Sequence, residues 1–461
     1  MTSTRISALL LAAFVAAVCA PSATAAPAAK NIIFFLGDGM GATTITAARI
    51  YKYKEEGLLN MEKMERSARI KTYSNDAQTT DSAPSMGAYM TGIKINNDVI
   101  SMADAKPVGP AKDANGNPSI DSCLAGNGRA VPTILELAKA SGKSVGAVTT
   151  TEMTHATPAS TFAHACDRDN LYSMAGRIVP GSADYNGALG DGVDVLMGGG
   201  RNLFTPYHAS ANKKGRGDGR NLLAEFAARG YTVAANAAQM QAAPVGRKFI
   251  GIYSDVSHMD YEIERRASQP ALSQMALKAL DLLAPNPKGF FLMVEGGKID
   301  HALHDSNAKR ALVETIAFDD AIKAVLERMQ TLDPGLRNTL IVVTADHDHT
   351  LVMNGYARRG NPILDIVRNV GDGKPARDAD GKTYTTLVFG NGTNRPGERA
   401  DVDSAAAQDL EYHQETGVRL GSETHGGGDV KLFATGAGSS GFKGTMENTK
   451  VFHLMKAAFG L

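Results

Sequence analysis

The chain reads as an α/β protein, and three observations carry that expectation. Its 48 glycines favour a turn-rich architecture. Short apolar runs, among them Asn31–Leu36, Phe290–Val294 and Thr339–Thr344, have the length and composition of buried strands. Each run empties into a loop carrying acidic residues or histidine, and open α/β sheets place their sites at the carboxyl ends of their strands.

Whole-chain composition excludes several classes. Among 461 residues, 48 basic side chains balance 48 acidic ones, so no basic stripe recommends nucleic acid. Met1–Ala29 reads as an export signal: Arg5 supplies the charge, Ile6–Ala20 the apolar core and Ala23-Thr24-Ala25 the small-residue cleavage site. That gives a signal of residues 1–25 and a mature chain of 26–461, periplasmic or extracellular. No later run is long and apolar enough to span a bilayer. Loss of Cys19 with the signal leaves Cys123 and Cys166, which suit one disulfide in an oxidising compartment, or else two buried thiols.

Taken in order, the strand Asn31–Leu36 delivers Gly37-Asp38-Gly39-Met40-Gly41, a tight turn into the helical segment Ala42–Lys54. Glycines on both sides let backbone approach an ion, and the Asp38 carboxylate can bridge two. In TTDSAPSMGAYMTG, Ser82 can stand at a helix N-terminus with its hydroxyl and amide aimed at an anion. No GxSxG elbow surrounds it, and Met86 replaces the arginine that a sulfatase pattern would want. The helix Val131–Ala140 and the strand Ser144–Thr149 lead to a loop, Thr150–Arg168, presenting His155, Thr157, His164 and Arg168. Thr157 precedes Pro158 and is expected in an extended conformation that frees its hydroxyl for a hard cation. Arg168 offers a planar fork for paired phosphate oxygens, while His164 reads as a hydrogen-bonded structural residue.

Val193–Met197 reads as a further strand, and Ala271–Leu283 and Arg310–Met329 as helices. Between those helices lies VEGGKIDHALHDSN, where Glu295 ends a strand and Asp300 and His304, four apart, share a helix face and can converge on one ion. Thr339–Thr344 delivers Asp346 and His347, with His349 left without a role. Residues 360–421 form a glycine- and charge-rich insertion with one expected short strand, Thr385–Phe389. His425 follows in a glycine-rich loop before the strand Val430–Ala434, a lone histidine singled out only because Asp300 and His304 still need a third ligand.

In this order GDGMG, TTDSAPS, THATPAS with Arg168, VEGGKIDHALH, TADHDH and ETHGGG closely resemble the alkaline phosphatase family, and the match covers nearly the whole chain from Asn31. The resemblance implies a doubly wound, largely parallel central sheet with helices on both faces and a crown-like surface insertion at 360–421. It implies hydrolysis of small phosphate monoesters through a phosphoserine on Ser82, with Arg168 as the phosphate clamp. Asp300, His304 and His425 match one zinc site, and Asp38, Asp346 and His347 a second. Asp38, Thr157 and Glu295 match a magnesium site. One zinc is then expected to lower the pKa of Ser82 and the other to stabilise the leaving oxygen.

His155 and His301 fall where the family's familiar bacterial enzymes carry an aspartate and a lysine, an arrangement similar to the animal branch and some marine bacterial members. They are expected to stand behind the ligands and tune the metals. Ser254 and Gln269 replace the carboxylates of the animal calcium site, so no calcium is expected. Dimerisation is a family expectation, although the N-terminal arm that embraces a partner is absent. The competing readings are a phosphodiesterase or sulfatase of the same superfamily and an exported phosphate- or zinc-binding protein without turnover. Thr157 and Glu295 favour the monoesterase over the first, and Ser82 argues against the second because capture needs no nucleophile.

Overall fold

The computed structural model describes residues 29–112, 116 and 123–461; the expected export signal lies outside them. Ten strands form the central sheet. They are β1 (Asn31–Gly37), β2 (Arg66–Lys71), β3 (Ser144–Glu152), β4 (Val195–Gly199), β5 (Thr232–Ala234), β6 (Phe249–Ile252), β7 (Phe290–Gly296), β8 (Thr339–Thr344), β12 (Val430–Gly436) and β13 (Gly444–Glu447). Three more, β9 (Leu351–Met353), β10 (Leu387–Gly392) and β11 (Thr416–Arg419), make a separate small sheet. The large sheet runs β13-β2-β12-β8-β1-β7-β3-β4-β6-β5. Pairing is parallel except where β12 lies antiparallel between β8 and β2. It is therefore the largely parallel α/β sheet that the sequence implies.

Every residue of β7 and β8 is buried, and successive side chains point to opposite faces, so both faces of the centre are covered. The covering helices form two packing groups. One holds Ala42–Tyr53, Leu272–Leu283, Lys298–His304 and the long Ala308–Leu332; the other holds Ser82–Thr91, Ile134–Ala140, Ala156–Phe162 and Asn448–Phe459. Leu272–Leu283 shows why such segments are helical. Leu272, Met275, Ala276, Ala279, Leu280 and Leu283 recur at helical spacing and are all buried. Ile134–Ala140 starts on a reciprocal cap, with Thr133 and Glu136 each satisfying the other's backbone N–H. Phe34 and Phe35 on β1 are fully buried, each worth about 1.5–3 kcal/mol of apolar transfer.

Register brings the loops together. Leu36 stands opposite Glu295 on one side and Thr344 on the other, and Thr149 also pairs with Glu295. The carboxyl ends of β3, β7, β1 and β8 therefore finish level, and whatever follows each strand meets at one edge.

Two expectations change. The insertion holds strands β10 and β11 and a helical turn at Ser404–Ala407 rather than one strand, and β10 begins at Leu387. It pairs with β9, which precedes it, so the small sheet is built partly from chain outside 360–421. Thr150–Arg168 is no plain loop, and Thr157 is not extended: it lies in the first turn of the helix Ala156–Phe162. Proline is tolerated there because first-turn N–H groups have no intrahelical acceptor to lose.

Candidate metal and phosphate centre

Asp81 caps the helix Ser82–Thr91, its Oδ1 accepting from Ala83 N at 2.7 Å. Ser82 is thereby held at the helix start, and its Oγ lies 3.1 Å from His347 Nε2 and 3.4 Å from Asp38 Oδ1. The same Asp81 Oδ1 accepts from Arg168 Nη1 at 2.9 Å, while Arg168 N–H is anchored on Asp98 O at 2.6 Å. One carboxylate thus positions both the serine and the guanidinium.

Three groups of donor atoms converge around Ser82. In the first, His304 Nε2 and His425 Nε2 face each other at 3.1 Å, and Asp300 Oδ1 lies 3.3 and 3.5 Å from them. The other ring nitrogens lie against backbone carbonyls: His304 Nδ1 on Glu423 O at 2.6 Å, His425 Nδ1 on Thr80 O at 2.8 Å. A carbonyl only accepts, so each ring carries its proton on Nδ1 and turns the Nε2 lone pair inward. Two lone pairs and a carboxylate oxygen aimed at one point are a donor set that suits a cation such as zinc.

The second group is Asp38, Asp346 and His347, all fully buried. His347 Nε2 is 3.3 Å from Asp38 Oδ1 and 3.4 Å from Asp346 Oδ2, with Nδ1 on Asp348 O at 3.3 Å. In the third, Glu295 Oε1, Thr157 Oγ1 and Asp38 Oδ2 are buried without a hydrogen-bond partner, as is Asp346 Oδ2. Buried oxygens stay unpaired at a cost unless something else satisfies them. An oxygen-only set suits magnesium. His155 brings a ring nitrogen within 4.8 Å of the Asp38 and Glu295 oxygens.

Charge points the same way. Burial, then the nearby Asp300 and Glu295, holds the Asp38 carboxyl well above its usual range. Burial raises Glu295 to about 8 and, with Asp38 beside it, Asp346 to about 7. Crowded carboxyls of this kind ionise together once cations neutralise them. Asp300 behaves oppositely: against the upward push of burial, His304, His349 and His425 hold it well below the normal range.

All twelve residues singled out by sequence gather here. His349, given no role, bridges Asp300 Oδ1 at 2.8 Å and Glu423 Oε2 at 2.6 Å, and against the downward pull of burial these carboxylates raise it to about 10. Both its nitrogens donate, so it orients Asp300 and is no ligand. Gly39, at φ +65°, makes room for it, since a Cβ there would stand 2.5 Å from the ring. Glu423 and His258 were also missed. The pairing of His349 with His425 across two antiparallel strand residues was the one fact needed to find the first two, and only the fold supplies it. His164 has the structural role expected of it, bonded to Ser101 O and Glu136 Oε1, both at 2.8 Å. Cys123 and Cys166 form a disulfide with Cα atoms 5.6 Å apart.

Comparison with known proteins points to one family. The sequence matches the family described as alkaline phosphatase over residues 29–461. An alkaline phosphatase of Gadus morhua is 36% identical over 460 residues, covering 93% of this chain and 91% of that protein. The tissue-nonspecific isozyme of Gallus gallus is 36% identical over 462 residues, covering 93% and 84%. The structure of an alkaline phosphatase from the Antarctic bacterium TAB5 aligns with a TM-score of 0.64 at 25% identity, covering 94% of this chain and 99% of that one.

Proposed function

The chain belongs to the alkaline phosphatase family, whose members hydrolyse phosphate monoesters, and from that premise we propose that it works through a phosphoserine on Ser82 at a two-zinc, one-magnesium centre. The convergence of donor atoms from His304, His425 and Asp300, together with buried Ser82 set against His347 and Asp38, is the observation that carries this reading. Asp300, His304 and His425 would hold one zinc; Asp38, Asp346 and His347 the other; Asp38, Thr157 and Glu295 the magnesium. Bound there, the ions supply Lewis-acid stabilisation of negative charge on the attacking and leaving oxygens.

The protein's own groups do the rest. Arg168 binds nonbridging oxygens of the monoester and orients phosphorus toward Ser82 Oγ. Ser82 gives its proton to solvent water, its oxygen bonds to phosphorus as the phosphorus–ester-oxygen bond breaks on the opposite side, and the departing oxygen takes up a proton from water. Water then attacks the phosphoserine, the bond from phosphorus to the serine oxygen breaks, that oxygen regains a proton from the water, and inorganic phosphate is released. Asp81 keeps nucleophile and clamp in register throughout, and His349 keeps Asp300 aimed. Export rests on the N-terminal sequence, supported by the disulfide, which persists in oxidising compartments.

Ser82→Ala is expected to remove most activity while leaving zinc and magnesium content intact. Acid-quenched wild-type enzyme should yield a phosphorylated Ser82 peptide by mass spectrometry; an unmodified peptide during turnover would overturn the covalent route. Release of p-nitrophenol from monoester, diester and sulfate substrates separates this reading from its superfamily alternatives.

A further inference from the structure

A second imidazole cluster stands beside the arginine. His155, His258 and His301 each bring a ring nitrogen within 4.8 Å of the others. Their ring centroids are 4.1 Å apart for His258 and His301, 5.2 Å for His155 and His258, and 5.6 Å for His155 and His301. Three histidines with an open fourth position are a zinc ligand set, so a cation is the first occupant to consider.

Hydrogen bonding speaks against it. Glu152 N–H donates to His258 Nδ1 at 3.1 Å, so the lone pair of that ring is engaged and its proton stands on Nε2. Arg168 has only donors, and its Nη2 lies 3.2 Å from His155 Nε2, which must therefore accept. The His155 proton then stands on Nδ1, a buried atom with no hydrogen-bond partner. A zinc-bound imidazole needs the reverse, its outer nitrogen donating to an acceptor, as His304 and His425 do. His258 offers an N–H group instead, on Nε2. What complements a neutral donor next to a guanidinium is a group that only accepts.

We propose that His258, packed against His155 and His301, presents a neutral Nε2–H donor on the Nη2 side of Arg168 that binds an oxygen of the substrate and product phosphate. The proposal rests on the phosphatase reading above and adds His258 to the residues that bind the anion. Glu152, at the end of β3, fixes the His258 tautomer before any ligand arrives, so the donor is preorganised. This donor carries no formal charge. Compared with a cationic side chain it attracts phosphate less, which favours release of product.

Titration calorimetry of inorganic phosphate into zinc- and magnesium-loaded enzyme tests this without turnover. His258→Phe keeps a ring of similar size but no N–H, and should weaken phosphate binding about tenfold. His258→Gln can accept from Glu152 N–H and still donate, and should recover most of that loss. In kinetics, kcat/KM should fall more than kcat in the Phe variant. Equal phosphate affinity in wild type and His258→Phe would overturn the proposal. So would one more zinc per chain in wild type than in His258→Phe, since that would make the cluster a cation site. Wild-type enzyme that binds no phosphate at all would instead bring down the phosphatase reading on which the proposal stands.

Discussion

Arg168 shows how much a single side chain does here. It is held by its own backbone on Asp98, by Asp81 on one Nη and by His155 on the other. Charge-assisted contacts to a phosphate are worth about 1.5–3 kcal/mol, so Arg168→Ala should lower kcat/KM roughly ten- to a hundredfold and raise the inhibition constant for inorganic phosphate in step. An unchanged inhibition constant would show that the guanidinium does not touch the anion. At this scale the sequence was most legible where residue type alone states the chemistry: Asp300 and His304 four apart, or Asp346 next to His347. It was silent on His349, Glu423 and His258, whose meaning lies in partners far along the chain. Glu152 reaches His258 across 106 residues and Glu423 reaches His349 across 74. Local spacing cannot encode such pairs.

Among the elements, the long helix Ala308–Leu332 buries polar groups that a solvated helix would not. Glu314 is buried, accepts Glu262 N–H at 2.5 Å, and is pushed up to about 7 by burial. The folded state therefore holds this proton more tightly than the unfolded chain. The stability it contributes is full below about pH 4.5 and is lost as pH rises through about 7. Glu314→Gln keeps an acceptor for the Glu262 amide and removes the charge. It should raise the melting temperature at pH 8–9 by the equivalent of about 3 kcal/mol at most, with the gain fading toward pH 5. A gain that does not change with pH would refute the titration account. Helix and strand positions with strong apolar periodicity were readable in advance. β2, with its sequence Arg66–Lys71 rich in charge, and Thr157, where proline spacing suggested extension, were not. In both, tertiary pairing or capping outweighed local preference.

For the whole molecule, the site and the fold share one electrostatic balance. Without cations, Asp38, Glu295 and Asp346 are buried with raised affinities for protons, so raising the pH through about 7–8 forces charge into a crowded interior. Stability gained by holding those protons is lost as pH rises through the folded values, and bound cations replace it. Chelated enzyme should therefore melt at falling temperature from pH 6 to pH 9, whereas enzyme with zinc and magnesium restored should show a much flatter profile. Parallel melting curves with and without metal would contradict this.

The position of β1 has a kinetic meaning as well. It is the first strand among the described residues, yet it lies mid-sheet between β7 and β8, and Asn31 Nδ2 donates to Thr339 Oγ1 across 308 residues of sequence. Contacts so distant in sequence carry a high loop-closure cost and slow folding. Until those partners are made the chain displays an unpaired strand with the apolar run Ile32–Leu36, the kind of segment that sticks to other chains or to chaperones. An early arrival that must wait for late partners keeps the chain loose and unlocked until Thr344 has been made.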